Sequence, residues 1–150
     1  MSRILGLDYG ERRIGVALSD PTDCFASPLC VLDARSPSLL KDIRRLCREH
    51  GVGQILLGLP LRMDGTEGPA AVTVRTFAKK ITGSLDTPVA FWDERLSTVS
   101  AERSLIEGGA RRALRRSVVD KVAAQIFLQH YLDSRTTPQV PLLFDEEDPS

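Results

Sequence analysis

The chain has 150 residues, 42% hydrophobic and 27% charged, which is the balance of a single soluble globular domain with its own core. Twenty basic residues offset twenty acidic ones and only three cysteines are present, so a collagen-like chain, a disulfide miniprotein and a wholly disordered chain are excluded. No run of ~18 apolar residues occurs, and Met1-Ser2-Arg3 leads into an apolar segment without the layout of a signal peptide; a cytoplasmic protein with no membrane partner is expected.

Arg3-Ile-Leu-Gly-Leu-Asp8 reads as a short apolar strand. Tyr9-Gly-Glu-Arg-Arg13 is a turn, and Ile14-Gly-Val-Ala-Leu-Ser19 is the returning strand of a hairpin. Pro28-Leu-Cys-Val-Leu32 is a third strand, which Pro28 confines to a sheet edge. A helix is then predicted with Ser36 as N-cap, Pro37 at its first position and Gly51 just past its end. Its apolar stripe is Leu39, Leu40, Ile43, Leu46 and Cys47. Gln54-Ile-Leu-Leu-Gly-Leu59 is nearly continuous in apolar residues, as a strand covered on both faces would be.

A second helix starts near Pro69, and Pro88-Val-Ala-Phe-Trp92 is a further strand. Ser97 caps a helix ending at Gly108-Gly109, and Val118 to about Leu132 forms the last one. Helices between the later strands imply parallel crossovers, whereas the first three strands are joined tightly enough to be antiparallel. The expected fold is α/β: a mixed five-stranded sheet with helices on both faces. Residues 1–135 are read as one domain and 136–150 as a loose tail rich in proline and acid.

The cysteines Cys24, Cys30 and Cys47 match no zinc or redox spacing and are read as reduced, small apolar fillers. His50 and His130 stand near helix ends without a catalytic context.

Three acids have placements that suggest chemistry. Asp8 ends an apolar strand, where a carboxylate is partly desolvated unless it meets a cation. Glu94, with Asp93 beside it, ends another strand, and ligands of α/β sheets gather at the carboxyl ends of parallel strands. Asp8 and Glu94 share one rim if their strands are adjacent and parallel. Asp120, in the first turn of the last helix, falls on the side of Ala123, Ala124 and Phe127. Three converging carboxylates suit Mg²⁺ or Mn²⁺, and two such ions ~3.5–4 Å apart serve phosphodiester hydrolysis. The plainer alternatives are a turn for Asp8, ion pairs with Arg95 or Arg103 for Asp93 and Glu94, and helix-dipole attraction for Asp120.

Sixteen of the twenty basic residues are arginine, a side chain suited to phosphate, although a GC-rich genome gives the same bias. Four acids fall within residues 145–150, and setting them aside leaves residues 1–144 with a net charge of +4. Arg111, Arg112, Arg115 and Arg116 crowd a loop before Asp120, placed to hold phosphates beside the scissile bond. Arg44, Arg45 and Arg48 read as a solvent face. Leu61-Arg-Met-Asp-Gly-Thr-Glu-Gly68 is either a flexible loop able to close over a polynucleotide or an ordinary strand-to-helix connection; it lacks the ending of a Walker loop.

Four segments, ILGLDYGERRIGVALSD, ILLGLPLRMDGTEGPAA, FWDERLSTVSAE and VVDKVAAQIFLQHYLD, resemble in order the signature blocks of the YqgF/RuvX family and span most of residues 4–133. The resemblance implies an RNase H-like fold and a bacterial cytoplasmic nuclease that matures the 5′ end of pre-16S ribosomal RNA. It implies Asp8, Glu94 and Asp120 as metal-binding catalytic carboxylates. Related resolvases carry an acid on the middle strand, where this chain has Gly58-Leu-Pro60, so Glu94 is expected to supply that ligand, alone or with Asp93.

Other functions remain open from sequence. One is resolution of four-way DNA junctions, which calls for a homodimer; the chain itself commits to neither monomer nor dimer. Another is a non-catalytic RNA-binding factor acting on a ribosomal pre-particle. The third is a nucleotide-binding domain like those of actin-like and sugar kinases.

Overall fold

The computed structural model describes residues 3–96 and 112–136, with side chains in the last segment described from 122 to 135. Five strands form one sheet: β1 (Arg3–Tyr9), β2 (Arg13–Ser19), β3 (Ala26–Asp33), β4 (Val52–Leu59) and β5 (Val89–Asp93). Their order is β3-β2-β1-β4-β5. β1 and β3 pair antiparallel with β2; β4 runs parallel to β1 and β5 parallel to β4. The expected α/β architecture and mixed sheet are therefore present. β3 lies at the edge as Pro28 requires, because proline has no N–H for a second neighbour.

Strand alternation divides the core into two layers. Leu5, Leu7, Ile14, Val16, Ile55 and Leu57 face α1 (Leu39–His50) and α2 (Pro69–Ser84), meeting Ile43, Leu46, Val74, Phe77 and Ile81. Ile4, Ala17 and Leu56 face α3 (Arg112–Thr136), meeting Ala123, Ala124, Phe127, Leu128 and Leu132. Each fully buried Leu, Ile or Phe contributes about 1.5–3 kcal/mol by leaving water. α3 comes close to the sheet because residue 6 has no side chain. A Cβ on Gly6 would stand 3.3 Å from the Leu128 Cβ and 3.6 Å from the Ala124 carbonyl oxygen.

Polar contacts fix the flanks of this layer. Gln129 accepts from the Ala26 N–H at 2.8 Å and donates to the Cys24 carbonyl at 2.9 Å, clamping the β2–β3 hairpin to α3. Ser19, 1% exposed, accepts from the Ile4 N–H at 2.8 Å and donates to Asp23 at 2.7 Å.

Several boundaries differ from the sequence reading. α1 begins at Leu39, not at Ser36-Pro37. Ser36 is used in the turn before it, where its hydroxyl accepts from the Ser38 N–H at 3.2 Å. Gly51 ends α1 as expected, in the left-handed conformation at φ 64°. Cys47 is a buried filler, but Cys24 is exposed. α3 starts at Arg112, six residues before the predicted Val118. Arg112, Arg115 and Arg116 therefore belong to a helix and not to a loop. The helix expected from Ser97 to Gly108, Arg111, and the tail from residue 137 lie outside the described residues. No helix among the described residues is long and apolar enough to cross a membrane.

Candidate active site

Asp8 is the penultimate residue of β1 and is only 7% exposed. Alternation puts it on the face of Ile4 and Gly6, the face covered by α3. Across the antiparallel ladder it pairs with Gly15. On the other side Leu7 pairs with Leu57, so Gly58 is next in register to Asp8. Asp8 thus has a glycine beside it on each neighbouring strand.

Glu94 follows β5 and opens a single 3-10 turn, Glu94–Leu96. Its strand and that of Asp8 share the carboxyl rim but are not adjacent, because β4 lies between them. Glu94 crosses that gap over Gly58: a Cβ on residue 58 would stand 2.5 Å from Glu94 Oε2 and 3.0 Å from the ring edge of Phe127. Gly58, which the sequence marks only as the place of a missing acid, is thus the position over which Glu94 lies. The available signal was a glycine inside an apolar strand, which denotes close approach by a neighbouring group.

Asp93 points elsewhere. It accepts from Arg95 Nε at 3.1 Å and Nη2 at 2.7 Å, and from the Arg95 backbone N–H at 2.9 Å. The Arg95 side chain, foremost, holds the Asp93 carboxyl below the usual carboxylate range. The local ion pair therefore accounts for Asp93. The same guanidinium donates to the Met63 carbonyl at 3.2 Å, tying the Leu61–Gly68 connection to the end of β5.

That connection is internally bonded as well. The Arg62 N–H donates to the Thr66 carbonyl at 2.9 Å, and Gly65 turns the chain at φ 89°. Asp64 accepts from the Thr66 hydroxyl at 2.7 Å, and Glu67 meets Arg75 at 2.6 Å. These bonds make it an ordered strand-to-helix connection.

α3 runs antiparallel to β4, since Tyr131 bonds Gln54 near the start of the strand while Phe127 meets Gly58 near its end. Going back along α3 from Phe127 therefore leads past the carboxyl rim, and residue 120 lies ~10.5 Å along the axis in that direction. Asp120 sits eight residues into the helix, not in its first turn, so attraction to the helix N-terminus no longer accounts for it.

The oxygen donors of Asp8 and Glu94, with the Glu94 carboxylate lying over Gly58, fit a hard divalent cation. Among the described residues, no group of three or more His, Cys, Asp or Glu side chains forms a metal cluster; Asp120 is not among the described side chains.

The family model described as "RuvX: Holliday junction resolvase" matches residues 2–134. A Pelotomaculum thermopropionicum protein is 47% identical over 139 residues, covering 91% of this chain and 90% of that protein. A Myxococcus xanthus protein is 45% identical over 149 residues, covering 97% of each. Both are named "Putative pre-16S rRNA nuclease". Thermus thermophilus RuvC, solved in complex with a Holliday junction substrate, matches with a TM-score of 0.55 and 13% identity, covering 90% of this chain and 96% of that one. That likeness shows a shared fold. With a family match across nearly the whole sequence and relatives matched over nine-tenths or more of their own length, the chain belongs to the RuvX family, whose members bear nuclease names.

Proposed function

We propose that the chain is a divalent-metal-dependent nuclease that hydrolyses phosphodiester bonds in the 5′-end maturation of pre-16S ribosomal RNA. The observation that carries this reading is the reach of Glu94 over Gly58, on the sheet face that also holds the buried Asp8. Residues 1–135 form the nuclease domain. The protein works in the cytoplasm, on RNA within a ribosomal pre-particle, as a monomer or a homodimer.

Asp8, Glu94 and Asp120 are the residues that would hold Mg²⁺ or Mn²⁺. The bound cation would supply a more acidic water and charge neutralisation at the scissile phosphate. Asp8 is a rigid anchor, since β1 is hydrogen-bonded on both sides. Phe127 walls the inner side of the site and limits water there. Arg111, Arg112, Arg115 and Arg116, at and just before the start of α3, hold the flanking phosphates.

Asp8→Asn is the test. It should abolish cleavage of a pre-16S RNA fragment, remove the rise in melting temperature given by Mn²⁺, and leave RNA affinity within about twofold. Unchanged turnover at saturating metal would remove the mechanism.

The family's description favours a second reading, resolution of four-way DNA junctions by a homodimer. Side-by-side cleavage of RNA and junction substrates decides between them, and a strictly monomeric protein in scattering counts against the junction.

A further inference from the structure

On the other face of β1 from Asp8 lies a cleft of about 430 Å³, a size typical of small-molecule sites. Its lining includes Tyr9, Glu11, Pro60, Pro69, Ala70 and Thr73. Tyr9 directly follows Asp8, and Pro60 is two residues beyond Gly58, so the cleft opens at the same carboxyl rim as the three proposed ligands. Successive side chains of a strand point to opposite faces, so a chain crossing the end of β1 passes from one site to the other within a residue's width.

The chemistry of the lining selects the occupant. Tyr9 is held rigid by stacking on Phe77, with ring centroids 4.5 Å apart and planes at 30°. Pro60 and Pro69 add flat apolar surface, and the Thr73 hydroxyl donates to the Pro69 carbonyl one helical turn back at 3.0 Å. Gly10 shapes the entrance: its N–H donates to the Arg13 carbonyl, and a Cβ there would stand 2.8 Å from that oxygen. Among the described residues the lining has no Lys or Arg, and it has a carboxylate, Glu11. A phosphate is therefore disfavoured, whereas a flat aromatic ring bearing an amino donor suits it.

We propose that this cleft takes one unpaired, amino-bearing nucleobase of the polynucleotide whose backbone lies at Asp8. The inference rests on the nuclease reading and adds a subsite to it. Uracil, which has no amino group, is the poorest fit.

The experiment uses the full chain with Asp8→Asn to prevent cleavage, and a fluorescein-labelled single-stranded 12-nucleotide RNA scanned with one abasic position at a time. One position should lose about tenfold in affinity when abasic. Ala70→Phe, which fills the cleft, should show a similar loss with the intact RNA and no further loss at that position. Thr73→Leu serves as a second variant if Ala70→Phe melts early. Restoring the scanned position with guanine, adenine or cytosine should recover binding better than uracil does, and Glu11→Gln should reduce that preference. Penalties that are equal at every position, or unchanged by both cleft variants, overturn the proposal. So does competition by a free nucleoside monophosphate as strong as that by the RNA, which would assign the cleft to a small nucleotide. In parallel, the protein with native Asp8 is assayed on RNA and on bis(p-nitrophenyl) phosphate. Failure to hydrolyse either, with the single-position penalty intact, overturns the nuclease reading and supports base binding.

Discussion

Glu94 occupies the space that a side chain on Gly58 would need, with its Oε2 2.5 Å from the Cβ position of residue 58. In the proposed site the middle strand thus contributes by lacking a side chain, and the acid comes from the neighbouring strand. Gly58→Ala is expected to push the carboxylate away and crowd Phe127, whose ring edge lies 3.0 Å from the same point. Overpacking of this kind costs about 1–3 kcal/mol. Cleavage should fall at least about tenfold, more than the lost stability explains at 25 °C, where most molecules remain folded. Denaturant melts alongside turnover measurements check both parts.

Arg95 joins Asp93 to the Met63 carbonyl and so fastens the 61–68 connection. These contacts are solvent-exposed, and exposed pairs contribute only about 0–1 kcal/mol. Arg95→Ala should therefore change the melting point little. Trypsin should nick the chain after Arg62 several times faster, because the connection is no longer tied to β5. Limited proteolysis read by mass spectrometry gives the rate.

Asp20 organises the turn between β2 and β3, accepting from the Phe25 N–H at 3.0 Å and the Cys24 N–H at 2.8 Å. Its carboxyl is lowered from 3.8 to about 2, chiefly by the Phe25 N–H and then by the Thr22 hydroxyl. A depressed carboxylate stabilises the fold fully above its unfolded value, near 3.8, and loses that contribution as pH falls through about 2. Amide exchange at Cys24 and Phe25 should therefore speed up across that acid window. In Asp20→Ala it should already be fast above pH 4, with no further change that tracks this carboxyl.

Gln129 meets the hairpin with both ends of its amide. Gln129→Ala leaves the Ala26 N–H without its acceptor, at a residue that is 6% exposed. An unsatisfied buried donor costs about 1–3 kcal/mol. Urea unfolding should register a loss in that range, with the m-value unchanged.

Much of this architecture was legible in the amino-acid order. β1, β2 and β4 are apolar runs too short for helices, and the lengths of their connections set their directions. The burial of Asp8 followed from its place at the end of such a run. The reach of Glu94 did not, because it depends on β4 lying between β1 and β5, and strand order is a tertiary property. Ser36 misled as a helix cap because the same hydroxyl serves equally well in a turn. Apolar spacing marks the last helix only from Val118, and α3 starts earlier, at Arg112. Arg112, Ala113, Leu114 and Arg115 are strong helix formers without needing a buried face.

The bare backbone at Gly6 lets α3 rest against β1, with Leu128 and Ala124 directly over it. The same rod carries one proposed ligand at residue 120, while Asp8 rides on the strand beneath. In the proposed site, thickness at that seam would therefore be a calibration screw for ion selectivity. Widening it by a methyl or two would displace the distal donor and favour larger cations over smaller ones, well before unfolding set in.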